Sequence, residues 1–137
     1  MQITSNGAFA GFESPNGAYL YYNQSMDAPS ALWRVPSSGG AAVKVLDGVV
    51  RGAFAVLDRG IYYIARVPAS GGQLYLDQSA GDARLQYFDL ATRNSTTVAH
   101  DLGNVFLGLT ASPDGRTIFY SRVDSSFNDL MLVENFR

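Results

Sequence analysis

The sequence predicts an all-β fold, a β-propeller segment made of three four-stranded antiparallel blades. Three observations predict it: a turn motif that recurs 98 residues apart, aromatic runs that recur with it, and short apolar runs separated by turn residues. Four short strands in repeats of roughly 45 residues are typical of propeller blades. The predicted blades span about 8–47, 52–101 and 105–137 within a single domain over residues 1–137.

The turn motif gives the first repeat signal. Ser-Pro-Asn-Gly at residues 14–17 returns as Ser-Pro-Asp-Gly at residues 112–115. Proline presets φ, Asn or Asp bonds to nearby backbone, and glycine accepts positive φ, so the motif favours a tight turn. Asp114 is therefore interpreted as a turn residue rather than a metal ligand or catalytic acid. The second repeat has Asp-Arg-Gly at residues 58–60 instead, and its spacing predicts a turn four residues shorter.

Aromatic and apolar runs set the register of the repeats. Gly-Ala-Phe-Ala at residues 7–10 returns at residues 52–55, and Tyr21, Tyr62 and Phe119 align with steps of 41 and 57 residues. Because these aromatics recur at one strand of every blade, we expect them to pack between blades rather than form a ligand platform, and Trp33 likewise. A set of third-strand leucines gives the same total of 98 residues: Leu32, Leu85 and Leu130.

The predicted strands are rich in aromatic and β-branched residues, and no stretch shows a helical period. The third blade lacks an outer strand, and the β-like segment Met1–Ser5 is expected to complete it, which would hide both terminal edges. The strands are Ala8–Glu13, Ala18–Gln24, Ala31–Val35, Ala42–Leu46, Gly52–Leu57, Gly60–Val67, Leu85–Leu90, Ser95–His100, Val105–Ala111, Arg116–Val123 and Asp129–Glu134.

The second repeat is twelve residues longer between its second and third strands, within Val67–Ala83. This insertion contains Leu-Tyr-Leu at residues 74–76. One interpretation is an extra hairpin that covers a mouth of the channel. The other is a long connecting loop, since long loops in compact domains are often functional or mobile.

Several segments resemble TolB-type, WD40-like β-propellers. Residues 112–121 are similar to the family's Ser-Pro-Asp-Gly signature, residues 14–22 are a second copy with Asn for Asp, and residues 32–40 are similar to its third strand and next turn. The ending at 129–137 resembles propellers fused to bacterial winged-helix regulators or serine/threonine kinases. The resemblance covers essentially the whole chain and implies a bacterial protein that binds proteins or peptides. Related propellers gate prolyl-oligopeptidase-like hydrolases, which is the alternative.

Composition excludes several classes of function. The net charge of −2 gives no general attraction to nucleic acid or to an anionic membrane. The absence of cysteine excludes disulfides, thiolate catalysis and cysteine zinc sites. With His100 as the single histidine and no Gly-x-Ser-x-Gly elbow, we expect no enzyme, metal or cofactor. Neither a signal peptide nor a membrane-length apolar run is found, so periplasm and cytoplasm both stay open.

A binding site is expected at one mouth of the channel. The loops before the first strands and those joining second to third strands share that face of a propeller. Converging arginines there would suit a carboxylate or an acidic peptide, whereas the competing interpretation pairs each arginine with a neighbouring aspartate. The predicted site residues are Asn6, Arg51, Arg66, Asn104 and Arg122.

Three blades are fewer than the four to eight of a propeller. The chain is therefore expected to be a piece of a longer propeller or to form a homodimer whose two copies make a six-bladed ring. In that dimer, Met1–Ser5 would complete the partner's third blade. The leading hypothesis is a non-enzymatic scaffold for protein or peptide binding or sensing, and a third class is a carbohydrate or small-ligand binder at the channel mouth.

Overall fold

The computed structural model describes residues 4, 7–26, 29–68 and 81–122, and all regular structure within them is β. Within these residues, ten strands form three antiparallel sheets of four, four and two strands, each in chain order. The all-β prediction is confirmed, and the sheets are propeller-like blades that do not form a closed propeller. No described residue belongs to a helix that would cross a membrane.

The three sheets are called blade 1, blade 2 and blade 3. Predicted strand Asp129–Glu134 and Met1–Ser5 lie outside the described residues, except Thr4, which belongs to no strand. Blade 1 contains β1 (Ala10–Glu13), β2 (Tyr19–Asn23), β3 (Ser30–Pro36) and β4 (Val43–Val49); blade 2 contains β5 (Phe54–Val56), β6 (Gly60–Pro68), β7 (Gly81–Asp89) and β8 (Ser95–Ala99); blade 3 contains β9 (Val105–Ala111) and β10 (Ile118–Arg122).

The turns at 14–17 and 112–115 have the same hydrogen bonds. Asn16 Oδ1 accepts from the Ser14 hydroxyl at 2.7 Å and from the Ala18 amide at 3.0 Å. Asp114 Oδ1 accepts from the Ser112 hydroxyl at 2.5 Å and from the Arg116 amide at 3.1 Å. The two turn glycines also agree, with φ of 68° and 70°. The two turns, 98 residues apart, therefore share their geometry as well as their sequence.

The turn of blade 2 differs from its prediction. The Leu57 amide bonds to the Gly60 carbonyl, where blade 1 bonds Ser14 to Tyr19. This turn is two residues shorter than that of blade 1, not four. Strand pairing also places Phe54 opposite Tyr63 and Gly11 opposite Tyr22, so the Gly-Ala-Phe-Ala match is two residues out of register. An even shift keeps each side chain on its face, which is why the letters still matched.

The insertion in blade 2 lengthens the β6–β7 hairpin. Pairing continues past the position where blade 1 ends its ladder, as far as Pro68 opposite Gly81. Leu32 and Leu85 occupy equivalent positions, opposite Asn23 and Ile64. The remainder of the insertion, residues 69–80, lies outside the described residues.

Two apolar layers hold the blades together. Residues that share a face of paired strands form each layer. Between blades 1 and 2, buried residues include Tyr21, Leu32, Phe54, Ile61, Tyr63 and Phe88. Between blades 2 and 3, they include Ala53, Ile64, Leu85, Val105 and Leu109. Tyr21 is buried between blades as predicted, whereas Tyr62 and Trp33 are only half-buried and Phe119 is exposed, contrary to the prediction.

The first strands lie side by side at the inner edge, with β5 between β1 and β9. They line a cavity of about 200 Å³ that Phe12, Phe54 and Leu109 border. Phe12 and Phe54 meet edge to face, with ring centroids 5.0 Å apart. We call the end of the blades with the β1–β2, β5–β6 and β9–β10 turns the turn end, and the opposite end the loop end.

Candidate binding site at the loop end

Arg66 lies near the loop end of β6, two residues after the buried Ile64 and on the same face of the strand. Its Nη2 donates hydrogen bonds to Asn104 Oδ1 at 3.2 Å and to the Val105 carbonyl at 3.3 Å. Asn104 directly precedes β9. The guanidinium therefore joins blade 2 to blade 3.

The environment of Arg66 disfavours its charge. Burial, and then the nearby charge of Arg51, lower the pKa of Arg66 from the usual arginine range. Both hydrogen-bond acceptors are uncharged, and Arg66 Nε is buried without a hydrogen-bond partner among the residues that the structure describes. Arginine stays protonated in proteins, so an anion at this position would stabilise the site.

Arg51 lies in the turn between β4 and β5, with a left-handed φ of 49°. Its carbonyl accepts a hydrogen bond from Asn23 Nδ2 at the end of β2. The charge of Arg51 acts on Arg66, so these two predicted residues are near each other. Arg51 also makes further interactions.

Asn23 also lies at this end of the molecule, as expected for the loop that joins the second and third strands, but it was not among the predicted site residues. It is fully buried, and its Nδ2 also donates to the Ser25 carbonyl at 3.2 Å. Asn23 Oδ1 is buried and has no partner within the described ranges. The signal was a polar residue that ends an aromatic run at the position where blade 2 has Ile64.

The remaining predicted residues are Arg122 and Asn6. Arg122 ends β10 beside Gly103, where an added Cβ would lie 2.9 Å from Arg122 Cδ. The side chain of Arg122 therefore packs next to the loop that carries Asn104, and it makes further interactions. Asn6 lies outside the described residues.

The described residues contain no group of three or more His, Cys, Asp or Glu side chains that would hold a metal ion. His100 follows β8 and is exposed. Among the described residues, the loop end offers a guanidinium with one donor that makes no hydrogen bond, together with neutral amides.

Comparison with known proteins adds information on the fold alone. No family model matches the chain, and no curated protein matches it. Among solved structures it is similar to the tricorn protease, with a TM-score of 0.59 and 14% identity over 82% of this chain. The chain spans 11% of the length of that protease chain. The likeness supports a propeller-like fold.

Proposed function

We propose that this chain is a non-enzymatic, TolB-like propeller scaffold that binds acidic peptides or proteins through a carboxylate at the loop end. One observation supports this most directly: Arg66 is half-buried, bonds to uncharged acceptors and has a buried Nε without a described partner. A carboxylate can accept two parallel hydrogen bonds from the N–H groups of a guanidinium. A neutral ligand forms weaker hydrogen bonds with the same groups.

A pair of peptides tests this binding. An N-acetylated tetraglutamate amide is titrated into the protein by calorimetry, with the tetraglutamine peptide as its neutral control. We expect the acidic peptide to bind and the neutral peptide not to bind. The affinity for the acidic peptide should fall about tenfold in Arg66→Met and recover in part in Arg66→Lys. Lys44→Met is the matched control, because Lys44 is exposed and pairs with Asp47 on β4.

Equal binding of the two peptides would contradict the proposal. So would an unchanged affinity in Arg66→Met once circular dichroism has shown that the variant is folded. Rising salt should weaken the acidic peptide's binding, since the contact is between charges.

Self-association is the second part of the proposed function. Phe119 on β10 is 65% exposed, although Tyr21 at the equivalent position of blade 1 is 2% exposed beneath blade 2. Phe119 borders a shallow depression of about 340 Å³ with Leu107 and Thr110. A second copy would cover this face, and two copies would supply six blades, a number usual in propellers.

Light scattering coupled to size exclusion tests self-association. A twofold mass supports the dimer, and a folded monomer at all accessible concentrations contradicts it. Deleting residues 1–5 should lower the mass if that segment completes the partner's third blade. Loss of folding without change of mass in the folded fraction would contradict strand exchange.

An accessory role in a hydrolase is the alternative, favoured by the likeness to a protease. A Gly-x-Ser-x-Gly catalytic domain in the same reading frame would support it. A winged-helix or kinase module there would support the scaffold instead.

A further inference from the structure

A second concave site lies at the turn end, between blades 2 and 3. It is a cleft of about 280 Å³, and its wall includes the tyrosines of β6 and β7 and the turn of blade 3. The residues used below are Asp58, Arg59, Tyr62, Tyr87, Asp114 and Gly115. None of them belongs to the loop-end site.

Tyr62 and Tyr87 form an aromatic corner in this cleft. They are directly paired across β6 and β7, with ring centroids 4.9 Å apart and ring planes inclined by 53°. Tyr62 Oη donates to the Gly115 carbonyl at 3.3 Å, and Tyr87 lies over Gly60. An added Cβ at Gly60 would stand 2.3 Å from Tyr87 Cζ, so the ring depends on the glycine.

Acidic groups outnumber basic ones around the corner. Asp58 and Asp114 present exposed carboxylates, and Arg59 is the one cation among the described lining residues. Hydrogen bonds from the Ser112 hydroxyl and the Arg116 amide lower the pKa of Asp114, so it is ionised at neutral pH. The cleft therefore favours a cation over an anion.

At the equivalent corner of blade 1, an arginine side chain of the protein itself lies against an aromatic ring. Arg34 there has the pairing position that Tyr87 has in blade 2, opposite Tyr21 and Tyr62 respectively. The Arg34 guanidinium lies over the Tyr19 ring, 4.7 Å from its centroid. Blade 2 has Gly60 at the position of Tyr19, as the turn hydrogen bonds show. It thus keeps an aromatic corner but lacks the strand arginine.

We propose that the turn-end cleft binds a guanidinium or ammonium group, such as an arginine or lysine side chain of a peptide. The Tyr62 and Tyr87 rings supply cation–π contact, and the Asp58 and Asp114 carboxylates supply opposite charge. This site differs in place and in ligand charge from the loop-end site.

The test compares two small probes of nearly the same shape. N-acetylarginine amide carries a guanidinium, and N-acetylcitrulline amide carries a neutral urea in its place. Each is titrated into the isotopically labelled full chain, and amide shifts are followed by NMR. We expect the arginine probe to shift the Gly60 and Gly115 amides and to bind about fivefold more tightly than citrulline.

Three variants locate the binding. Asp114→Asn removes the charge but retains the turn, because Asn16 makes the same bonds in blade 1; we expect about threefold weaker binding. Tyr87→Arg gives blade 2 the residue of blade 1 and should abolish binding. Asp47→Asn, on the exposed β4 carboxylate, is the control and should leave binding unchanged.

Equal affinity for citrulline would overturn the proposal, as would no binding of either probe at millimolar concentration. Unchanged binding in a folded Tyr87→Arg variant would also overturn it. None of these outcomes concerns the glutamate peptide at Arg66, so the two proposed sites are tested independently.

Discussion

Tyr62 and Gly115 join blade 2 to the turn of blade 3 by a hydrogen bond from the Tyr62 hydroxyl to the Gly115 carbonyl, 3.3 Å long. The bond connects residues 53 apart in sequence and lies beside an aromatic pair. It connects the two blades at the turn end, whereas the Arg66–Asn104 bond connects them at the loop end.

Removing that hydroxyl should weaken the contact between the blades. We expect Tyr62→Phe to lower the free energy of unfolding by about 0.5–1.5 kcal/mol, the usual net worth of one hydrogen bond. Urea unfolding followed by circular dichroism measures it. Tyr21→Phe, at the equivalent position of blade 1, is the control, and an equal loss there would show that the effect is not due to the bond.

Asp114 should make stability depend on pH. Its folded pKa lies below the ordinary aspartate value of 3.8, so its contribution is present above that pH and is lost as pH falls through the folded pKa. Asp114→Asn keeps the turn and should remove this part of the acid dependence. Thermal midpoints of both proteins between pH 2 and pH 7, in steps of about one unit, measure the difference. Parallel pH profiles would contradict the assignment.

Gly60→Ala should destabilise the protein by about 1–3 kcal/mol, since overpacking forces neighbours to move. The added Cβ would lie 2.3 Å from Tyr87 Cζ and 2.6 Å from the Phe88 carbonyl. Gly11→Ala is the matched control in β1, because its nearest neighbour would be 3.5 Å away. Urea midpoints give both values, and equal effects of the two substitutions would show that Tyr87 does not depend on Gly60.

Phe119→Ser should reduce self-association and leave the folded chain nearly as stable, within about 0.5 kcal/mol, because the ring is mostly exposed. Val98→Ser, an exposed substitution on β8, should change neither property. Light scattering and urea unfolding are run on the same samples. A fall in stability without a fall in mass would assign Phe119 to the chain's own core.

The sequence was most informative where local chemistry decides the structure. A Ser-Pro-Asx-Gly turn has one well-defined set of hydrogen bonds, so Asn16 and Asp114 could be matched from letters alone. Phe9 and Phe54 could not be matched correctly in this way, because a turn shortened by two residues leaves the alternation of inward- and outward-facing side chains unchanged. The register there depends on the ladder, which a single sequence does not show.

Some residues of the candidate sites could be predicted from the sequence, and others could not. Arg66 and Asn104 were predicted because strand ends and loops of successive blades share a face. Asn23 was expected at the same end but was not chosen as a site residue, because a polar residue at the end of an aromatic run does not show that its amide is buried. The turn-end cleft was missed because Tyr62 was interpreted only as a packing residue. The open space beside its ring depends on Gly60 and on the turn of blade 3.

The two faces of each blade have different partners, and this gives the stacking a direction. Tyr21 covers the second blade, Tyr62 the third, and Phe119 continues the series outward. Contacts of this kind are head to tail, and such contacts end only when rotation brings the last unit back to the first. Self-association through Phe119, as proposed above, would therefore give either a ring of fixed size or a growing filament, and a charged residue at position 119 should interrupt it.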